Sequence, residues 1–341
     1  MKKGHGKTKW ALCLMLCAAL LSGCLSEDGE KIGSATLQKA DEKEGLAGEE
    51  SGGEQQAGAE AVSAKGQAEG LSEKAKEALA EKEEPEMTEV DWSEYFQGLN
   101  GAAVLYDAGT NRSFVFHPKL AETRRSPCST FKIISSLLAL ENGVIDPENS
   151  VRDWSGEWFW NEDWNRDIGF EDAFRTSCVW YFREVVDEIG RERMQEGLDA
   201  LSYGNRDISD WEGRLNTNNS NRALTGFWIE SSLKISPREQ TEVMERIFGE
   251  DGYASEETID RLKQVMLVSE GGELSVYGKT GMGKADGVTV DAWFTGFAET
   301  PEGNRYFCVY LGQTDGREVT STAAKEIALR ILADHWRMDG V

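Results

Sequence analysis

A serine at 129 and a lysine at 132 stand three positions apart in the stretch SPCSTFK (126–132), where an apolar run with helical spacing begins. Residues at i and i+3 share a helix face, so hydroxyl and amine are set side by side. A serine hydroxyl is a weak nucleophile until a neighbour takes its proton. A lysine can take it only as an uncharged amine, which requires desolvation or a change of chemical form. Phe131, Ile133 and Ile134 offer apolar surroundings for that amine. The spacing alone leaves open a capping serine beside a solvated lysine, and Cys128 is a second nucleophile by type. Two further segments carry chemistry. YGKTG (277–281) sets Lys279, Thr280 and Gly281 in an expected strand, whose glycine would leave room for a substrate backbone. SCV (177–179) puts Ser177 at the start of a helical segment.

Ser-x-x-Lys followed by Lys-Thr-Gly is part of the signature of class A β-lactamases and penicillin-binding proteins. From about 92 to 336, however, the chain most resembles the class D (OXA-type) serine β-lactamases, in their Gram-positive-like branch. The resemblance rests on RRSPCSTFK (124–132), WNRD with AFRTSCVWYF (164–182) and YGNRDIS (203–209). It continues through GFWIESSLKISPREQ (226–240), YGKTG (277–281) and DAWFTGF (291–297). It implies a serine hydrolase that opens β-lactams through an acyl-enzyme on Ser129. Lys132 would react with CO2 to carry a carboxylate, becoming an N6-carboxylysine that serves as general base; no metal and no other cofactor is implied. Trp228 would hydrogen-bond that carboxylate, since an indole N–H is a donor only. Ser177 would pass a proton to the lactam nitrogen, with Lys279 supporting the path, and Thr280 would bind the substrate carboxylate. Val179 stands where penicillin-binding proteins usually carry Asn and would keep the lysine pocket dry. The N–H groups of Ser129 and Met282 would form the oxyanion hole beside Gly281.

Some features depart from that pattern. The arginine that grips the substrate carboxylate in OXA enzymes has no clear counterpart; Arg317 is the one candidate, several residues early. EGRLN (212–216) matches the class A pattern around a deacylating glutamate, but it follows class D text, so Glu212 reads as a solvated loop acid. The related β-lactam receptors, which stay acylated, and the transpeptidases are the competing functions. Val179 speaks against the latter. The former need several membrane spans, and the sequence is expected to supply only one N-terminal anchor.

These groups need a scaffold. Strands are expected over 101–117, 275–283, 288–299 and 305–313, with helices after Ser129 to Gly143, within 170–201, at 236–248 and 256–267, and at 321–336. Strands at both ends and helices between predict an α+β domain: an antiparallel sheet joining the two ends, flanking helices and a helical subdomain. This is the serine β-lactamase and penicillin-binding transpeptidase-like fold, expected over 88–341. Residues 1–24 read as a lipoprotein signal peptide: a basic start, an apolar core, and a lipobox LSGC with Cys24 as the lipidated residue; a plain secretory signal cut near Gly23 is the alternative. Residues 25–87 contain no aromatic residue and carry 17 acids against 7 bases, a disordered acidic tether. The expected location is therefore outside the cytoplasmic membrane, anchored by lipid, with a monomer as the working state. A net charge of −24 without a basic stripe excludes a nucleic-acid partner. Cys128 and Cys178 each flank a motif serine, and either a disulfide between them or two buried thiols fits the sequence.

Overall fold

The structure, a computed structural model, describes residues 84–339 apart from positions 251, 272, 273 and 315. The leader with Cys24 and nearly all of the acidic tether lie outside the described residues. No described helix is long and apolar enough to cross a membrane.

Strand β1 (Glu86–Glu89) and the short α1 (Ser93–Phe96) precede a hairpin of β2 (Gly101–Asp107) and β3 (Arg112–Phe116), then α2 (Pro118–Ala121). A 3-10 turn (Cys128–Phe131) runs directly into α3 (Lys132–Glu141). Helices α4 (Phe170–Arg175), α5 (Val179–Ile189) and α6 (Arg191–Ala200) follow one long loop, and α7 (Pro237–Phe248) and α8 (Glu256–Met266) follow another. Strands β4 (Leu267–Gly271), β5 (Leu274–Ala285), β6 (Val288–Thr300) and β7 (Gly303–Gly312) lead to the closing α9 (Ser321–Asp339).

The seven strands lie in the order β1-β3-β2-β7-β6-β5-β4. Pairing of β2 with β7, from Gly101↔Leu311 to Asp107↔Arg305, joins the early hairpin to the late strands, as the sequence predicts. One correction is needed: β1 runs parallel to β3, Glu86↔Arg112 through Glu89↔Val115, so the sheet is mixed rather than antiparallel throughout. The fold also begins inside the expected tether, at Glu86. The four-residue EMTE strand is too short and too charged to show alternation; main-chain pairing with β3, beside an exposed Arg112–Glu86 ion pair at 3.7 Å, holds it at the edge.

Alternation along β7 explains the layering. Phe307, Val309 and Leu311 face α1 and α9, where Ala324, Ile327, Ala328, Ile331 and Leu332 form the matching apolar stripe. Tyr306 faces the opposite side and joins the larger core around α3. Helix α3 is buried from Lys132 to Ala139, surrounded by α5, α6 and α8. A Cβ on Gly197 of α6 would sit 2.5 Å from Leu138, so the missing side chain is what lets these two helices close up. Helix α7 starts with Pro237 after a capping box in which Ser236 and Glu239 each bond the other's backbone N–H.

Candidate active site

Ser129 sits in the 3-10 turn and Lys132 is the first residue of α3. In a 3-10 turn, residues i and i+3 are nearly eclipsed, a closer pairing than α geometry gives. Lys132 Nζ accordingly lies 3.2 Å from Ser129 Oγ. The turn is entered through Cys128 at φ 49, a left-handed conformation that costs a non-glycine residue about 1 kcal/mol or more. It is held there by Cys128 N–H donating to the Trp228 carbonyl at 2.9 Å and by Gln240 of α7 donating to Thr130 Oγ1 at 2.8 Å. Lys132 is 1% exposed, with its ammonium 5.2 Å from the centre of the Phe182 ring. Burial pulls its pKa down to about 8. At pH 7.4 that leaves roughly a fifth of the amine neutral, against about one part in a thousand at the ordinary lysine value.

A second serine–lysine pair forms across the fold. Lys279 of β5 donates to Ser177 Oγ at 2.8 Å and to the Thr280 carbonyl at 3.1 Å. Ser177 also has a positive φ, 61, where the chain turns into α5 at Val179. Val179 is half-buried against the main core. Lys279 is buried and its pKa falls well below the ordinary value, first from desolvation and then from repulsion by Lys132. The strand that carries Lys279 packs through Gly281 against Pro127 and Thr130, beside Ser129, so the two pairs belong to one site.

Strand β5 forms the site's wall. Its ladder with β4 ends at Tyr277, so Lys279, Thr280 and Met282 lie on a stretch that β4 does not cover. Met282 is 37% exposed. Gly281 has a packing role in addition to the one its sequence suggests. A Cβ there would lie 2.9 Å from Thr130 Cγ2 and 3.0 Å from the Pro127 carbonyl. The missing side chain lets the strand press against the 3-10 turn. At the rim, Lys284 Nζ stands 5.8 Å from the centre of the largely exposed Trp160 ring.

Comparison with known proteins now decides the lineage. Residues 71–333 match the penicillin-binding protein transpeptidase domain. The chain is 34% identical over 238 residues to a probable β-lactamase, YbxI, of Bacillus subtilis, covering 70% of this chain and 81% of that protein. The chain belongs to the transpeptidase-domain family. Its named relatives include class D β-lactamases, which are hydrolases. The class D β-lactamase structure from Bacillus subtilis superposes with a TM-score of 0.63 at 33% identity, covering 72% of this chain and 95% of that one. The C-terminal domain of the Bacillus licheniformis BlaR penicillin receptor gives a TM-score of 0.65 at 28% identity, covering 74% and 98%.

In this transpeptidase-domain protein, Trp228 is 1% exposed and stacks on Phe131 at 5.8 Å. Its carbonyl also accepts from Ser126 Oγ at 3.1 Å, so the residue braces the turn that carries Ser129. Two other sequence candidates fall elsewhere. Glu212 accepts from Arg222 Nε at 2.7 Å, a loop ion pair. Arg317 donates to the Gly98 carbonyl at 2.8 Å, beyond the start of β2, a strand separated from β5 by β6 and β7. It is not brought to the Ser129 wall.

Cys128, Cys178 and Cys308 are free, buried thiols, so the bridge between the first two does not form. Burial pushes the Cys128 thiol up to about 12 and the Cys178 thiol to about 11, which leaves both as protonated packing groups. The eye-catching neighbour of Ser129 is chemically the quieter one. Among the described residues no group of three or more His, Cys, Asp or Glu could hold a metal ion. One residue next to the site goes unnoticed in the sequence. Arg183, four positions after Val179, is 2% exposed, with its guanidinium carbon 5.4 Å from the centre of the Trp228 ring. An arginine directly after the apolar run VWYF (179–182) and four residues before Asp187 is the signal that could have exposed it.

Proposed function

We propose that the protein hydrolyses β-lactams through an acyl-enzyme on Ser129, with a carbamylated Lys132 as general base. The observation that carries this reading is a fully buried, partly neutral amine 3.2 Å from a serine hydroxyl. A neutral Lys132 nitrogen attacks the carbon of CO2. An N–C bond forms, one C=O electron pair moves onto oxygen, and a proton leaves to water, giving an anionic carbamate. This also relieves an electrostatic conflict, because two buried amines that repel as cations become an anion facing a cation. The indole N–H of Trp228 is the donor suited to that anion.

The carbamate takes the Ser129 proton as Oγ attacks the lactam carbonyl. The N–H groups of Ser129 and Met282 stabilise the oxygen that gains charge. When the C–N bond breaks, the nitrogen is protonated through Ser177, which Lys279 contacts. The same carbamate then removes a proton from water, which attacks the ester and frees Ser129. Thr280 and Lys279 offer the substrate carboxylate its donors. The half-buried Val179 keeps a polar group away from the carbamate. We further read the sequence as a lipid-anchored protein exported to the outer face of the cytoplasmic membrane, through Cys24.

A receptor that remains acylated is the second reading, favoured by the likeness to the BlaR domain. Steady-state hydrolysis of a penicillin by the full chain, with and without added bicarbonate, tests the proposal. Turnover that rises with bicarbonate and is lost in Ser129→Ala, Lys132→Ala and Trp228→Ala is expected. Undiminished turnover by Lys132→Ala would overturn the carbamate.

A further inference from the structure

Arg183 of α5 is buried beside two indole rings. Its guanidinium carbon lies 5.5 Å from the centre of the Trp211 ring and 5.4 Å from that of Trp228. Nη1 donates to the Trp211 carbonyl at 2.9 Å, and Nε and Nη2 donate to Asp187, the former at 3.2 Å. Asp187 in turn accepts from the Trp211 indole N–H at 3.1 Å and pairs with Arg222 at 2.7 Å. Each of the three guanidinium nitrogens thus donates to Asp187 or to the Trp211 carbonyl, while the guanidinium carbon stays 5.4 Å from the centre of the Trp228 ring.

The other contacts of Trp228 are apolar and less specific. Phe131 stacks on it at 5.8 Å, Phe227 meets it edge-on at 5.1 Å, and the backbone of Gly226 lies so close that a Cβ would fall 2.1 Å from the benzo ring. Rings packed this way resist displacement but do not by themselves choose the tilt of the indole. A planar cation attracted to the ring face does choose it. Burying that cation has a desolvation cost that an apolar side chain of the same volume would avoid, so fold stability alone gives little reason for an arginine here.

We infer that Arg183 is a positioning residue: it fixes the tilt of Trp228 and thereby the lifetime of the Lys132 carbamate. The inference rests on the carbamate reading above. Arg183 touches neither substrate nor Lys132; it acts through the indole N–H. Loss of the correct tilt weakens the hydrogen bond to the carbamate, so CO2 leaves faster and more is needed to hold the base in place. Acylation chemistry at saturating CO2 is left nearly intact.

The test is the bicarbonate dependence of penicillin turnover in the full-length protein for wild type, Arg183→Met and Arg183→Lys, each with its melting temperature. The expected result is a half-saturating bicarbonate concentration raised about tenfold or more in Arg183→Met, with kcat recovered within about twofold at high bicarbonate. Arg183→Lys, which keeps charge but loses the planar face, should fall between. An unchanged half-saturating concentration in both variants overturns the role of Arg183 while leaving the carbamate standing. Loss of kcat that bicarbonate does not restore, in step with a lower melting temperature, also overturns it by marking a purely structural residue. Wild-type turnover indifferent to bicarbonate would remove the carbamate reading and this inference together.

Discussion

At the scale of single residues, the decisive fact is that burial, not a charged partner, depresses the Lys132 amine. The folded-state pKa of about 8 lies below the ordinary 10.5, so the unfolded chain binds more protons than the native one between those values. Lysine 132 therefore costs stability most fully below about pH 8, and the cost disappears as pH rises through 10.5. The difference corresponds to about 3 kcal/mol. Lys132→Met should accordingly stabilise the protein by about 2–3 kcal/mol at pH 7 in bicarbonate-free buffer, with the gain shrinking toward pH 10.5; urea titrations at several pH values measure this. Added bicarbonate should raise the stability of wild type but not of the variant, because only the former binds CO2. The same pKa sets a kinetic prediction. At fixed dissolved CO2, the rate of reactivation of CO2-stripped enzyme should fall about tenfold per pH unit below 8 and level off above it. A flat profile between pH 6 and 8 would contradict a buried amine as the acceptor.

At the scale of elements, the 3-10 turn is the central device, and it explains what the sequence could and could not disclose. The i, i+3 spacing of Ser129 and Lys132 was readable, as was the apolar run that buries α3. The turn type was not, because it depends on long-range support: the left-handed Cys128, the Trp228 carbonyl, Gln240 of α7, and the backbone of β5. Gly281 illustrates the difference. Its sequence context suggests a place for substrate, and its contacts also make it the seam between β5 and the turn. Gly281→Val should therefore destabilise the fold by about 1–3 kcal/mol through overpacking and slow acylation of Ser129. Denaturant unfolding and the rate of penicillin adduct formation would show both; a variant with normal stability and normal acylation would refute the packing role. Arg183 was missed for a related reason, since a helical arginine reads as surface until the segments carrying Trp211 and Trp228 close over it.

At the scale of the whole molecule, helices between early and late strands foretold the layered α+β fold and the pairing of the chain's first hairpin with its last strands. The parallel edge strand β1 escaped notice because main-chain pairing leaves no side-chain pattern in EMTE. Site residues came from five separate elements or turns, and only where their motifs carry fixed spacings could the sequence group them. Ser129 and Lys132 were grouped in this way and lie together; Ser177 and Lys279, in separate motifs, were joined only through the family resemblance and also meet, whereas Arg317, proposed without such a motif, lies three strands away. The remaining question is whether the assembled site turns over or stays loaded, since β-lactamase and receptor domains share this architecture. Intact-mass measurement of the full-length protein after mixing with a penicillin in bicarbonate answers it most directly. The account predicts an adduct on Ser129 that accumulates, then vanishes as the penicillin is consumed to its hydrolysed form. An adduct that persists for hours at one equivalent, with the excess penicillin intact, would contradict it.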